Sequence, residues 1–147
     1  MRQERHMGYE IKALSNLLHR KVIQFSNQLE DDEFTEMQTK LLGFLCHNKD
    51  QEIFQKDIER VFYIRRSTAS RLLKRLEESG LIIRQPVSRD ARLKQVKTTP
   101  KADAAMQQIM ARIQKVEAAL SEGLSQAEID QFMATAEKLK QNLQKED

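Results

Sequence analysis

The side chains that could do chemistry are concentrated in the middle of this 147-residue chain, and most of them are cationic. Residues 54–101 hold thirteen lysines and arginines against five acidic residues, a surplus of eight positive charges, whereas the rest of the chain holds twelve against seventeen. A basic central segment between acidic ends is typical of a protein whose central module binds nucleic-acid phosphates and whose flanking segments do not contact the nucleic acid. The alternative is a solvated surface that happens to be basic.

Residues 65–76 have the side chains needed to bind a DNA duplex. Arginine can donate two hydrogen bonds to guanine, and serine and threonine hydroxyls can reach bases or phosphates. The apolar residues of this stretch share one side of a helix, at Ala69, Leu72, Leu73 and Leu76. We predict DNA contacts from the helix start and from the opposite side, by Arg65, Arg66, Ser67, Thr68, Ser70, Arg71 and Lys74. Arg71 is the first candidate for a base or phosphate contact, whereas any one of these residues taken alone could be an ordinary exposed helix position.

A basic hairpin follows this helix. Residues 81–84 and 93–98 are short strand candidates, joined by a loop over residues 86–92. Arg92 at the loop tip can insert into a minor groove, Arg89 can add a phosphate contact, and Lys94 extends the same surface. Asp90 suits a phosphate-binding surface only if its carboxylate holds a neighbouring arginine in a fixed pose. The alternative is a solvated hairpin with a local ion pair.

Periodic apolar residues predict the elements that position these side chains. Helical stripes cover residues 8–29, about 35–47 after a capping box of Thr35 and Gln38, and 56–62. The fourth helix ends at Gly80, a fifth begins at Thr99, and a sixth follows Ser125. The predicted fold is therefore mainly α with a small β-hairpin wing. It is a winged helix-turn-helix over residues 35–99, flanked by dimerisation helices over 1–34 and 100–147.

The terminal helices predict a homodimer on physical grounds. Their three long apolar stripes exceed what a small winged core can cover, so another surface must bury them. A self-contained helical bundle within one chain is one alternative. A helical interaction or scaffold protein without a specific DNA target is another, although it leaves the basic middle and the hairpin unexplained.

Two motifs together resemble the MarR family of transcriptional regulators. The segment from Arg65 to Ile82 looks like the family's recognition helix, and Asp90-Ala91-Arg92 looks like its Asp-x-Arg wing signature. The resemblance implies a homodimer whose first, fifth and sixth helices interlock, with two winged domains that bind a pseudo-palindromic operator. It also implies repression that ends when a small, often phenolic, molecule binds or a thiol is oxidised.

The sequence departs from the family pattern at a few positions without losing a predicted DNA contact. Phe54 stands where a threonine or serine normally caps the third helix, and Tyr63 stands in a turn where glycine is frequent. Thr98 and Ala102 replace a leucine and a glycine at the start of the fifth helix.

Two further sites are predicted for regulation. Phe25, Phe44 and Met106 are candidates to line an effector site between the dimer helices and the winged lobe. Cys46 is a candidate oxidant sensor, against the alternative that it is a small packing residue in an apolar helix.

The sequence lacks the residue patterns that are typical of enzymes, metal-binding proteins and membrane proteins. No nucleophile, paired carboxylates or phosphate loop stands at a persuasive spacing, so no enzyme activity is expected. One cysteine with scattered histidines (His6, His19 and His47) predicts neither a metal site nor a cofactor. No apolar run approaches the ~18 residues of a membrane span, and no secretory signal is evident, so we expect a cytoplasmic protein without membrane contact.

Overall fold

A computed structural model describes residues 4–26 and 33–145 of the chain. The element order is α1 (Met7–Ser26), α2 (Glu33–His47), α3 (Gln55–Phe62), α4 (Arg66–Glu78), β1 (Ile82–Val87), β2 (Asp90–Thr98), α5 (Pro100–Ser121) and α6 (Gln126–Gln144). This order confirms the predicted six helices and the hairpin between the fourth and the fifth. The Thr35 side chain of the predicted capping box lies outside the described side chains, and the C-terminal end of the predicted first stripe lies outside the described residues.

The hydrophobic core is formed by α2, α3, α4, the hairpin and the N-terminal half of α5. Its side chains with at most 1% exposure are Leu41, Ile58, Ala69, Leu72, Leu73, Leu76, Ile82 and Ala102. The four apolar positions predicted for the inner face of α4 are all buried. Full burial of one such leucine or isoleucine stabilises the fold by about 1.5–3 kcal/mol, so this face holds α4 rigidly and leaves its other face to solvent.

Helix α3 starts regularly although its capping residue is Phe54. The backbone of Phe54 is extended, and the Asp57 carboxylate accepts a 2.9 Å hydrogen bond from its amide. At the other end, Tyr63 has φ 53°, a left-handed conformation that costs a non-glycine residue about 1–2 kcal/mol. The Tyr63 ring also lies 5.7 Å from the ammonium of Lys140 on α6. The three-residue turn between α3 and α4 therefore forms without the glycine that is frequent there in the family.

The predicted seven-residue loop of the hairpin is wrong, because both strands continue into it. Strand β1 runs to Val87 and β2 begins at Asp90, which leaves only residues 88–89 as the turn. The antiparallel register runs from Ile82 opposite Thr98 to Pro86 opposite Lys94 and then shifts, so that Val87 lies opposite Asp90. Residues 91–93 are consequently bulged out of β2, and a bulge of this kind redirects the side chains it carries.

The terminal helices pack unevenly. The C-terminal half of α1 is partly buried, and α1 contacts α5, but its N-terminal half is exposed. Helix α6 buries none of its described side chains within the chain. The large apolar side chains that remain exposed on α1, α5, α6 and the turn between the last two helices are Met7, Tyr9, Ile11, Leu14, Leu17, Leu120, Leu124, Phe132, Met133 and Leu143. Residues 4–26 and 33–145 therefore do not form a helical bundle that is completed within one chain.

Candidate nucleic-acid interface

The outward face of α4 carries the predicted recognition residues. Arg65 precedes the helix, and the exposed positions after it are Arg66, Ser67, Ser70, Arg71 and Lys74, while Thr68 is half-buried. They occur on this face because the buried residues of α4 recur every three or four positions and the cations occupy the positions between them. An exposed helix with cations and small hydroxyls can enter a major groove roughly 12 Å wide.

The wing carries Arg92 and Lys94 on β2 and Arg89 in the turn, all exposed. Arg92 lies in the bulge of β2, and its backbone amide donates a 2.9 Å hydrogen bond to the Asp90 carboxylate. Asp90 was predicted to hold an arginine side chain, but its carboxylate instead holds the backbone amide of Arg92. Asp90 fixes the backbone at Arg92 and so sets the direction in which that side chain leaves the wing.

Arg89 is held by a residue that the sequence analysis did not consider. Its guanidinium lies 2.8 Å from the Glu52 carboxylate and 5.7 Å from the centre of the Phe54 ring. The hydrogen bond and charge of Arg89 lower the pKa of Glu52 below its ordinary value of 4.5, and the same pair raises the pKa of Arg89. Both groups are therefore charged at neutral pH.

Gln55 is a second residue that sequence reasoning missed. Its amide donates to the Ser70 hydroxyl at 3.1 Å and to the Arg66 backbone oxygen at 3.4 Å. The segment 52–55 thus contacts both the start of α4 and the turn of the wing, which places the two predicted DNA-binding elements beside each other on one surface. A glutamate in a loop and a glutamine at the first position of a helix give no sequence signal for this role, because their partners lie 37 and 15 residues further along the chain.

The predicted effector residues have different surroundings. Phe44 and Met106 both pack in the hydrophobic core, where Phe44 makes an edge-to-face contact with Phe62 at 5.6 Å. Phe25 on α1 is half-buried, with the Lys21 ammonium 5.1 Å from its ring centre. A cavity of about 210 Å³ lies elsewhere, between the C-terminal end of α2 and β2, and none of the three residues lines it. The effector site stays a prediction.

Cys46 is half-buried beside α5. Its thiol lies 3.9 Å from the Asp103 carboxylate, which also accepts a 2.5 Å hydrogen bond from Lys49. Burial raises the pKa of the Cys46 thiol above 9.0, and Asp103 adds to that effect against the opposing charge of Lys49. A thiol that stays protonated at neutral pH is a poor nucleophile, which favours the packing role over oxidant sensing.

Two negative findings apply to the described residues. Among them, no group of three or more histidine, cysteine, aspartate or glutamate side chains could hold a metal ion. None of the helices within the ranges 4–26 and 33–145 is long and apolar enough to cross a membrane.

The fold and this surface define a winged helix-turn-helix protein, and comparison with known proteins extends the assignment. Residues 33–93 match the model of the MarR family. The transcription regulator MarR from Oenococcus oeni is 25% identical over 92% of this chain and 99% of its own, with a TM-score of 0.76. The winged-helix segment therefore matches the MarR family, and the chain is similar along nearly its whole length to solved DNA-binding transcriptional regulators; this family and fold are those of regulators and not of enzymes.

Two further solved structures are similar. The chain of a MepR–DNA complex from Staphylococcus aureus is 26% identical over 96% of this chain and 100% of its own, with a TM-score of 0.81. The transcriptional regulator SlyA is 26% identical over 95% of this chain and 94% of its own, with a TM-score of 0.78.

Proposed function

We propose that this protein is a repressor that binds a pseudo-palindromic operator as a homodimer and is released from it by a small-molecule effector. The observation that carries the proposal is the shared surface on which segment 52–55 joins the exposed cationic face of α4 to the wing. One element of this surface suits the major groove and the other suits the adjacent minor groove. The similar MepR chain, whose structure is of a DNA complex, supports duplex DNA as the partner.

The proposed contacts divide into two kinds. The face of α4, led by Arg71, makes base and phosphate contacts in the major groove, and Arg92 enters the minor groove with Lys94 beside it. Residues 35–99 form the DNA-binding domain in this proposal, and residues 1–34 and 100–147 hold two chains together. The same residues on a second chain double the contacts, which turns modest single-site affinity into tight operator binding.

The exposed apolar faces of the terminal helices support the homodimer. Phe132, Met133 and Leu143 on α6 are 61%, 63% and 81% exposed in the single chain. Removing apolar area from water favours association, so a second copy that packs against α1 and α6 can cover these exposed side chains. A dimer also sets two recognition helices roughly one DNA turn, 34 Å, apart.

The effector that we propose is a small phenolic molecule. It can release DNA only if it binds more tightly to the arrangement of the two lobes that does not fit the operator. The expected result is that one member of a panel of phenols and phenolic acids raises the melting temperature of the free protein and weakens its complex with the operator. No shift in melting temperature across the panel contradicts a phenolic effector.

Selection of bound duplexes from a random pool tests the DNA-binding proposal directly. We expect an inverted repeat with half-sites about one helical turn apart, bound by two chains in sedimentation analysis. Affinity should fall steeply between 50 and 200 mM salt, roughly in proportion to the number of phosphates contacted. Self-association without selection of any sequence instead supports the second candidate, a dimeric interaction protein without a specific DNA target. Repression itself is tested by a reporter gene placed behind the selected repeat.

A further inference from the structure

Two points attach the wing to the segment that precedes α3. At the base, the amide of Val96 on β2 donates a 2.8 Å hydrogen bond to the backbone oxygen of Ile53. At the turn, the Arg89 guanidinium is held by Glu52 and lies over the Phe54 ring; these three residues are called the wing clamp below. A two-stranded hairpin is marginally stable by itself, so these attachments, together with the packing of β1 on α4 and of β2 on α2, set the angle at which the wing leaves the domain.

The geometry of the wing clamp restricts the arginine more than a simple ion pair does. The guanidinium is planar and its hydrogen bonds run in a fixed fork. Arg89 meets a carboxylate and an aromatic ring at once, and the backbone of Phe54 is itself fixed by its hydrogen bond to Asp57. The turn of the wing is therefore tied to the first turn of α3.

The same segment also holds the recognition helix. Gln55, which follows Phe54, donates hydrogen bonds to the Ser70 hydroxyl and to the Arg66 backbone oxygen. The wing and α4 are thus both held by the same four consecutive residues, 52–55. To contact a major groove and the adjacent minor groove at once, α4 and the wing must be held at a fixed distance from each other. An element that is displaced loses its DNA contacts even though its charges are unchanged.

We propose that Glu52 is a positioning residue for DNA binding, which holds the wing through Arg89 so that Arg92 stands at a set distance from the recognition helix. This inference rests on the proposed function. It assigns a favourable role to a carboxylate on the surface that meets DNA. Coulomb's law alone predicts the opposite sign, since a negative charge beside phosphates weakens binding and its removal strengthens it.

The test uses the full-length chain and the Glu52→Gln substitution, which removes the charge and keeps the shape. Asp50→Asn is the matched control, because Asp50 is an exposed acid two residues earlier in the same loop and its substitution changes the net charge equally. Affinity is measured for the duplex selected by the parent and for a scrambled duplex of the same length. Hydrogen exchange of the wing amides is measured in the free protein, so that one readout does not involve DNA.

We expect Glu52→Gln to weaken binding to the selected duplex by about three- to tenfold while binding to the scrambled duplex is unchanged or tighter. The backbone amides of residues 87–95 in the wing should exchange several times faster than in the parent. Asp50→Asn should change neither the exchange nor the ratio of the two affinities. Melting curves of both variants should stay close to that of the parent, because Glu52 and Asp50 are exposed.

Each contrary result has a distinct meaning. Unchanged exchange in Glu52→Gln overturns the wing clamp as a structural restraint, whether or not the protein binds DNA. Faster exchange with equal or tighter binding to the selected duplex overturns the positioning role, since the electrostatic effect then dominates. Failure of the parent itself to select a duplex contradicts the proposed function, and a positioning role for DNA binding is then also wrong. The exchange result still shows in that case whether the wing clamp restrains the wing.

Discussion

The side-chain hydroxyl of Thr99 donates a 2.6 Å hydrogen bond to the backbone oxygen of Gly80. This bond joins the N-cap residue of α5 to the turn that follows α4. The same hydroxyl oxygen accepts from the Ala102 amide at 3.4 Å and caps α5. Lys101 adds a 2.7 Å hydrogen bond to the Ser79 oxygen. Two hydrogen bonds therefore join the residues that follow the recognition helix directly to the start of the long helix α5.

Thr99→Val should lower stability and DNA affinity together. The substitution removes the cap of α5 and the bond to Gly80, so the free energy of unfolding should fall by about 1–2 kcal/mol in urea titrations. Ser125→Ala is the control, because Ser125 caps α6 with a capping box but makes no bond to α4. Equal loss of operator affinity in both variants, at matched stability, contradicts a specific role for the Thr99 junction.

Replacement of Arg71 and Arg92 should separate base recognition from groove electrostatics. Arg71→Ala should cost affinity and roughly 1–3 kcal/mol of discrimination between the preferred base and its substitutes. Arg92→Ala should weaken binding and flatten its salt dependence, because a cation in the minor groove is lost. Fluorescence anisotropy at several salt concentrations measures both. Lys138→Ala, which removes a positive charge from α6, is the control. If both arginine variants bind the selected duplex with the affinity of the parent, the predicted contacts are wrong.

The stabilising contribution of Glu36 should depend on pH. Its side chain is 14% exposed, lies 2.5 Å from His19 on α1, and also pairs with Lys40 at 3.1 Å. Burial opposes ionisation of this carboxyl, but the hydrogen bonds and charges of His19 and Lys40 outweigh it and keep its pKa below 4.5. A lowered folded-state pKa contributes stability that is present above the unfolded-state value and lost as pH falls through the folded-state value.

Urea unfolding of the parent and Glu36→Gln between pH 3 and 7 checks this expectation. The parent should be the more stable protein at pH 7, and the difference should narrow as the pH falls through about 4.5 and further below it. Glu78→Gln, at an exposed position of α4, is the control, because it removes one acidic group without touching the contact between α1 and α2. A difference that stays constant over this range shows that the Glu36 charge is not what links α1 to α2.

Cys46 should react slowly with thiol reagents. Because burial and Asp103 keep its pKa above 9.0, only a small fraction is thiolate at pH 7.5. Alkylation by iodoacetamide should be slower than that of glutathione, with a pH profile that is still rising at pH 9. Operator binding should be unchanged by mild peroxide and by Cys46→Ala. Rapid oxidation accompanied by loss of DNA binding supports the sensing hypothesis instead.

Much of the fold is legible in the sequence because its signals are local. The apolar period of α4 and the left-handed Gly80 after it, with φ 72°, follow from residues within one or two turns of each other. The same holds for the Thr99 cap with Pro100 in the first turn of α5. The order of the elements and the outward cations of α4 were predicted correctly for this reason.

The wing shows the limit of local signals. Pro86 and the polar residues after it predict a loop, yet pairing between β1 and β2 extends the strands and leaves a two-residue turn with a bulge at Arg92. Strand ends depend on cross-strand hydrogen bonds whose register a single stretch of sequence does not contain. Asp90 was predicted to hold the side chain of a neighbouring arginine, but its hydrogen-bond partner is the backbone amide of Arg92.

By itself, the sequence determined which residues are cationic, which helices form and which of their faces are apolar, since these depend on residue type and on periods of a few residues. Only the tertiary structure decided that Glu52 and Phe54 hold Arg89, that Gln55 binds Ser70, and that the Cys46 thiol lies beside Asp103. Each of these pairs joins residues 15 to 57 positions apart, and their side chains meet only because burial of the shared core brings the elements together.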